Sequence, residues 1–113
     1  MAAENSEPGE ILDVRPFEGK LGKARTKTLI KTERLVVVRL VVLAGREIPS
    51  HQAPGDLIVQ CLEGEVSFTA LGKTSKLKPG ELVHLPARVP HALKAKYDSS
   101  LLVTMVFGAG SIR

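Results

Sequence analysis

Short apolar runs, broken at regular intervals by turn-forming residues, set the pattern of this chain. The breaks fall at Gly19-Lys20, Gly22, Glu33, Gly45, Pro54-Gly55-Asp56, Glu63-Gly64, Gly72-Lys73, Lys78-Pro79-Gly80, Pro86 to Pro90 and Asp98-Ser99-Ser100. They predict strands over about 28–31, 34–44, 57–62, 65–71, 75–77, 82–85, 92–97 and 101–107. Strands this short at such spacing imply an all-β sandwich or barrel, and no segment has a persuasive helical period.

Alternation assigns faces. From His91 to Tyr97 the odd positions His91, Leu93, Ala95 and Tyr97 share one side, while Lys94 and Lys96 point to the other, so His91 is placed on an inward face. Leu57, Val59 and Cys61 likewise oppose Ile58, Gln60 and Leu62, but there both faces are largely apolar. The run 34–44 repeats this, with Val36, Val38, Leu40 and Val42 opposite Leu35, Val37, Val41 and Leu43. A strand apolar on both sides needs cover on both sides. A homodimer is the economical expectation for the outer face, and the segment from Ile11 to Phe17 is the competing cover. Arg39 interrupts this strand and must reach solvent, pair with an acid, or face the cavity and meet an anion, because an unpaired buried guanidinium is costly.

Length and composition narrow the class. The 113 residues suit one domain with one core, here 11–113 behind a flexible N-terminal segment of residues 1–10 rich in Glu, Asn, Ser, Pro and Gly. Arg39 cuts the longest apolar run well short of the roughly 18 residues a membrane helix needs, so no membrane association is expected. The acidic first ten residues lack the basic and apolar regions of a secretory leader, and a cytoplasmic protein is the expectation. One cysteine, Cys61, excludes an internal disulfide and a cysteine zinc site. Lys20, Lys23, Arg25, Lys27 and Lys31 crowd a short segment of a chain of net charge +4. Without interleaved aromatics or a recognition motif they predict a solvated edge, and no nucleic-acid partner.

The histidines carry the candidate chemistry. The first sits in Gly45-Arg-Glu-Ile-Pro-Ser-His51 and the others in Gly80-Glu-Leu-Val-His84-Leu-Pro86-Ala-Arg88-Val-Pro-His91. Ser50 beside His51 is no nucleophile elbow, and Gly72-Lys73-Thr74 lacks the leading glycine of a phosphate loop, Ser67 standing in its place.

Together the two segments resemble the paired motifs of the cupin superfamily. The first family motif runs Gly, five residues, His, one residue, His, three or four residues, Glu, six residues, Gly, and here reads Gly45, His51, Ala53, Leu57 and Gly64. The second runs Gly, five residues, Pro, one residue, Gly, two residues, His, three residues, Asn, and here reads Gly80, Pro86, Arg88, His91 and Ala95. The resemblance covers roughly residues 34–107 and implies a small RmlC-like jelly roll, a double-stranded β-helix whose mouth holds a ligand or metal pocket.

In the family, three histidines and the glutamate hold a divalent metal such as Fe, Mn, Ni or Zn, a borderline ligand set that leaves positions open for substrate. Here Ala53 has no donor and Leu57 offers hydrocarbon, so half the implied set is missing. His51 and His91 would be the ligands of any bound metal, with His84, Gln60 or Cys61 as possible third donors; Asp56 could replace the glutamate only if a bulge at Pro54-Gly55 shifted the register. Arg88 stands where the family often has Gly, at the barrel mouth.

The expected function is small-molecule binding in a pocket formed by His51, His91, His84, Arg39, Cys61 and Tyr97. An imidazole pair can hold a carboxylate or an enol without any metal. The alternatives are a metal-dependent dioxygenase or isomerase with a loosely bound metal, and a dimeric structural or sensory module without chemistry.

Overall fold

A computed structural model describes residues 6–108 of the chain. Nine strands follow a short 3-10 helix at Glu18–Lys23: β1 Lys27–Lys31, β2 Leu35–Val42, β3 Glu47–His51, β4 Asp56–Glu63, β5 Val66–Ala70, β6 Lys73–Leu77, β7 Leu82–Leu85, β8 His91–Ala95 and β9 Ser99–Val106. They form two antiparallel sheets, one of five strands in the order β1-β2-β9-β4-β7 and one of four in the order β3-β8-β5-β6. This is the all-β architecture that the turn spacing predicted and, more closely, the jelly roll that the motif resemblance implied.

The alternation reads directly onto the core. Leu57, Val59 and Cys61 of β4, with Leu101 beside them on β9, face Val66 and Phe68 of β5 and Leu93 and Ala95 of β8, all buried between the sheets. Of the segment 1–10, residues 1–5 lie outside the described residues, as do 109–113 at the other end. Residues 6–10 form a turn in which Glu10 N–H donates to the Glu7 carbonyl, and Ser6 N–H reaches the Leu29 carbonyl on β1.

Three local expectations need correction. The 3-10 helix occupies a stretch read only as turns; it buries a single side chain, Leu21, too few to print an apolar period. Strand β3 was not expected, because it is a sheet-edge strand with mostly exposed side chains and Pro49 inside it, and an edge tolerates a missing N–H. The strand predicted to reach Tyr97 stops at Ala95, where the chain turns and Lys96 N–H donates to the Glu65 carbonyl.

Two bulges set the side-chain directions that matter most. Between β3 and β8 the pairs run Ile48↔Leu93 and then His51↔His91, three steps on one strand against two on the other. With regular alternation Ser50 would follow Ile48 to the inner face and His51 would point out; the extra residue turns His51 inward, opposite His91. Between β4 and β9 the pairs run Cys61↔Leu101 and then Glu63↔Ser100. That bulge sends Glu63 to the outer face, where Arg39 also points.

Arg39 is therefore buried outside the barrel rather than inside it, beneath the N-terminal segment. Its Nη2 donates to the Arg15 carbonyl at 2.6 Å and to Ser100 Oγ at 3.1 Å, and lies 3.4 Å from Glu63 Oε2. The Phe17 ring covers the guanidinium at 3.8 Å. Glu63 in turn accepts from the N–H groups of Phe17 and Glu18 and from the Ser100 hydroxyl. Burial alone would raise the Glu63 carboxyl, but these donors and the charge on Arg39 outweigh it and hold the group below its ordinary range. Burial pulls the Arg39 guanidinium down, against the opposing pull of Glu63 and Asp13. So the segment ending at Phe17 covers part of the outer sheet, while Ile58, Leu82 and Val106 stay exposed.

Candidate functional site

His51 and His91 meet across the β3–β8 bulge with ring centroids 4.3 Å apart and planes tilted by 58°. His91 is buried and His51 is exposed, so the pair runs from the barrel interior to its mouth. Each ring is fixed in the same way. His51 Nδ1 lies 3.0 Å from the Pro49 carbonyl, and His91 Nδ1 lies 3.0 Å from the Val89 carbonyl. A carbonyl oxygen only accepts, so in the neutral ring Nδ1 carries the proton and Nε2 keeps its lone pair. Two backbone contacts therefore leave Nε2 as the acceptor on each of two neighbouring rings.

The surrounding cavity measures about 280 Å³ and is mainly hydrocarbon, with Leu40, Ile48, Leu57, Val59, Val103 and Met105 among its walls. Phe68 lies nearly parallel to the His91 ring, 5.9 Å between centroids, and closes one side. A cavity near the small end of the range for bound organic ligands, apolar but for a few placed polar groups, fits a compact molecule. Gln52 at the rim adds an amide.

Of the pocket residues expected from the sequence, the structure brings together His51 and His91 and places the other four elsewhere. Cys61 lies under the cavity in the closed core, fully buried, its thiol 3.5 Å from the Glu63 carbonyl and pushed up to about 11 by burial. His84 is on the outward face of β7, exposed, with Nε2 3.5 Å from Asp56 Oδ2. This pairing also takes Asp56 outward, so Asp56 does not replace the absent glutamate. Arg39 is held by Glu63 on the far side of the five-stranded sheet. Tyr97 sits beyond the end of β8, 54% exposed, with Lys96 Nζ 5.4 Å from its ring. The reasons differ: Cys61 faces inward with Leu57 and Val59 but lies in the closed core, Arg39 and His84 sit on the outward faces of regularly paired β2 and β7, and Tyr97 lies past the end of β8.

The residues present do not fit the four-ligand metal centre of the family. Ala53 and Leu57 are buried members of the hydrophobic cluster, so the positions of the second histidine and the glutamate offer only carbon. Among the described residues no group of three or more His, Cys, Asp or Glu side chains gathers in a way that could hold a metal ion.

Several wall residues escaped the sequence reading. Phe68 was legible, because it shares the inward face of β5 with Val66, but nothing along the chain says that it lies against His91. Ile48 and Gln52 belong to the unexpected edge strand and the loop after it. Arg88, where the family often has Gly, has φ +69°, the left-handed conformation that Gly adopts without strain. Its N–H donates to the Ala53 carbonyl at 2.8 Å and ties the two motif loops together.

Comparison with known proteins agrees with this architecture. A conserved protein of unknown function from Streptococcus pyogenes superposes with a TM-score of 0.73 at 27% identity, covering 92% of each chain. A Cupin 2 conserved barrel domain protein from Leptotrichia buccalis gives 0.69 at 34% identity over 73% of this chain and 40% of that one. A cupin superfamily protein from Desulfitobacterium hafniense gives 0.71 at 20% identity over 74% of this chain and 76% of that one. No curated protein is found to match. No helix among the described residues is long and apolar enough to cross a membrane. The sequence pattern of the Cupin domain matches residues 38–107, more than half of the chain and including both histidine motifs, and the protein belongs to the cupin family.

Proposed function

We propose that the protein binds a small, compact organic molecule in the cavity behind His51 and His91, without a full cupin metal centre. The observation that carries this reading is the matched Nδ1 contacts to Pro49 and Val89, which leave two Nε2 lone pairs beside an apolar cavity. Two adjacent acceptors suit a ligand that presents a donor, such as an enol, a phenol or a protonated carboxyl, on an apolar body. If the ligand places a labile proton between the rings, either imidazole can take it up.

The test is a panel of small enols, phenols and carboxylic acids followed by thermal shift on untagged protein, with His51→Ala and His91→Ala as controls. A stabilising ligand whose effect disappears in both variants supports the reading. Metal analysis of the same preparation is its counterpart, because stoichiometric metal that both substitutions remove would overturn the metal-free site. The same proposal makes the protein a cytoplasmic homodimer whose interface covers Ile58, Leu82 and Val106 on the outer sheet, where they are 37%, 59% and 37% exposed. Light scattering gives the mass, and Leu82→Glu should return a dimer to monomer.

A further inference from the structure

A second cavity, of about 220 Å³, opens at the seam where the edge strands β6 and β7 of the two sheets approach each other. Its floor is apolar and includes Phe68, Leu77, Val83 and Leu85. Phe68 also borders the histidine cavity, so this one aromatic ring separates two hollows. At the rim stand Lys73 and Lys76, both exposed, and neither makes an ion pair with a described acidic residue. Of the other polar lining groups, Ser75 is uncharged and His84 is already engaged by Asp56.

Leu71 supplies an independent observation. The β5–β6 hairpin closes with the pair Ala70↔Lys73 around Leu71 and Gly72, whose φ angles are +55° and +73°. Two positive φ values in a two-residue hairpin loop call for Asn or Gly at the first position. The chain instead holds a leucine there, strained and 75% exposed, beside the seam cavity. Local backbone preference and solvent both oppose this residue, and such conflicts gather where a side chain has something to touch.

We infer that the seam between β6 and β7 is a second binding site, for a small monocarboxylate with an apolar chain. The chain lies over Phe68, Leu77 and Leu85 under the Leu71 side chain, and the carboxylate meets Lys73. The uncompensated lysines select an anion, and the hydrocarbon floor selects its tail. The site is independent of the histidine pair.

The full chain, labelled with ¹⁵N, is titrated with octanoate below its micellar range and, separately, with the uncharged amide of the same chain. Octanoate should produce saturable amide shifts centred on β6 and β7. Lys73→Glu should weaken that binding by about fivefold or more, and the amide should bind octanoate's site about as poorly. Leu71→Asn should raise the melting temperature, because it relieves the hairpin, yet weaken binding by about threefold through lost apolar contact. A variant carrying His51→Ala and His91→Ala should bind octanoate as the parent does. The inference is overturned if no saturable shift appears in β6 and β7, if Lys73→Glu and Leu71→Asn both bind unchanged, or if binding is lost with the two histidines. That last result would assign the carboxylate to the histidine cavity instead.

Discussion

Replacing Glu63 by glutamine tests whether the N-terminal segment is latched by charge. The substitution keeps the size of the side chain and part of its acceptor capacity, but it leaves the buried Arg39 guanidinium without its counter-charge. Removing one member of a buried pair costs about 3–5 kcal/mol when nothing else compensates. Here Arg39 retains the Arg15 carbonyl, the Ser100 hydroxyl and the Phe17 ring, and the amide oxygen of the substituted side chain still has main-chain N–H groups to accept from. The expected loss at neutral pH is therefore smaller, roughly 2–3 kcal/mol. For a domain of this size that lowers the melting temperature by about 8–12 °C.

The pH dependence has a definite sign. The Glu63 carboxyl is held below its ordinary value in the folded state, so the unfolded chain takes up its proton first as pH falls. The contribution is complete above the ordinary carboxylate range and is lost as pH drops through the folded value. Urea unfolding at several pH values should thus show the gap between parent and Glu63→Gln at its widest near pH 7. It should begin to close as pH falls to the ordinary carboxylate value of about 4.3, where the unfolded chain takes up the proton, and vanish only below the lowered folded value, where the native carboxyl is neutral too. Adding Arg39→Met to Glu63→Gln removes the stranded charge and should restore much of the stability. A gap that stays constant with pH, or a Glu63→Gln protein as stable as its parent at pH 7, would refute the charge latch.

Other expectations follow from single positions. At Gly64, φ is +87° and an added Cβ would collide with Ser99 Oγ and the Asp98 carbonyl, so Gly64→Ala should cost about 3 kcal/mol or more by denaturant titration. Cys61, fully buried with its thiol pushed up to about 11, should resist iodoacetamide at pH 8 in the native protein and react on unfolding; rapid native labelling would contradict the closed core. In ¹⁵N spectra at alkaline pH, both His51 and His91 should show a protonated Nδ1 and an unprotonated Nε2, and the opposite tautomer in either ring would remove the acceptor pair. Leu101→Ala, which empties a fully buried side chain, should lower stability by about 2–5 kcal/mol.

The architecture was legible in the chain alone. Turn residues at short intervals, together with the period-two alternation from His91 onward, suffice for an all-β sandwich or barrel, because a strand that buries one face must place every second residue inside. The paired glycine-led motifs then named the family fold and the two histidines that meet. What local pattern left open was direction. His51 points inward only because one extra residue separates it from Ile48, and Glu63 reaches Arg39 only because of a second bulge. A bulge is a mismatch between two strands distant in sequence, so it has no signature within either strand alone. The same limit explains Arg39, which interrupts an apolar strand yet has its Nη2 and its flat face met by the Arg15 carbonyl, the Phe17 ring and the Glu63 carboxylate, drawn from two distant segments, and Tyr97, which shares the parity of His91 but lies past the strand's end. Local sequence sets which side chains lie together on a strand, while strand pairing in three dimensions decides which of them face the cavity.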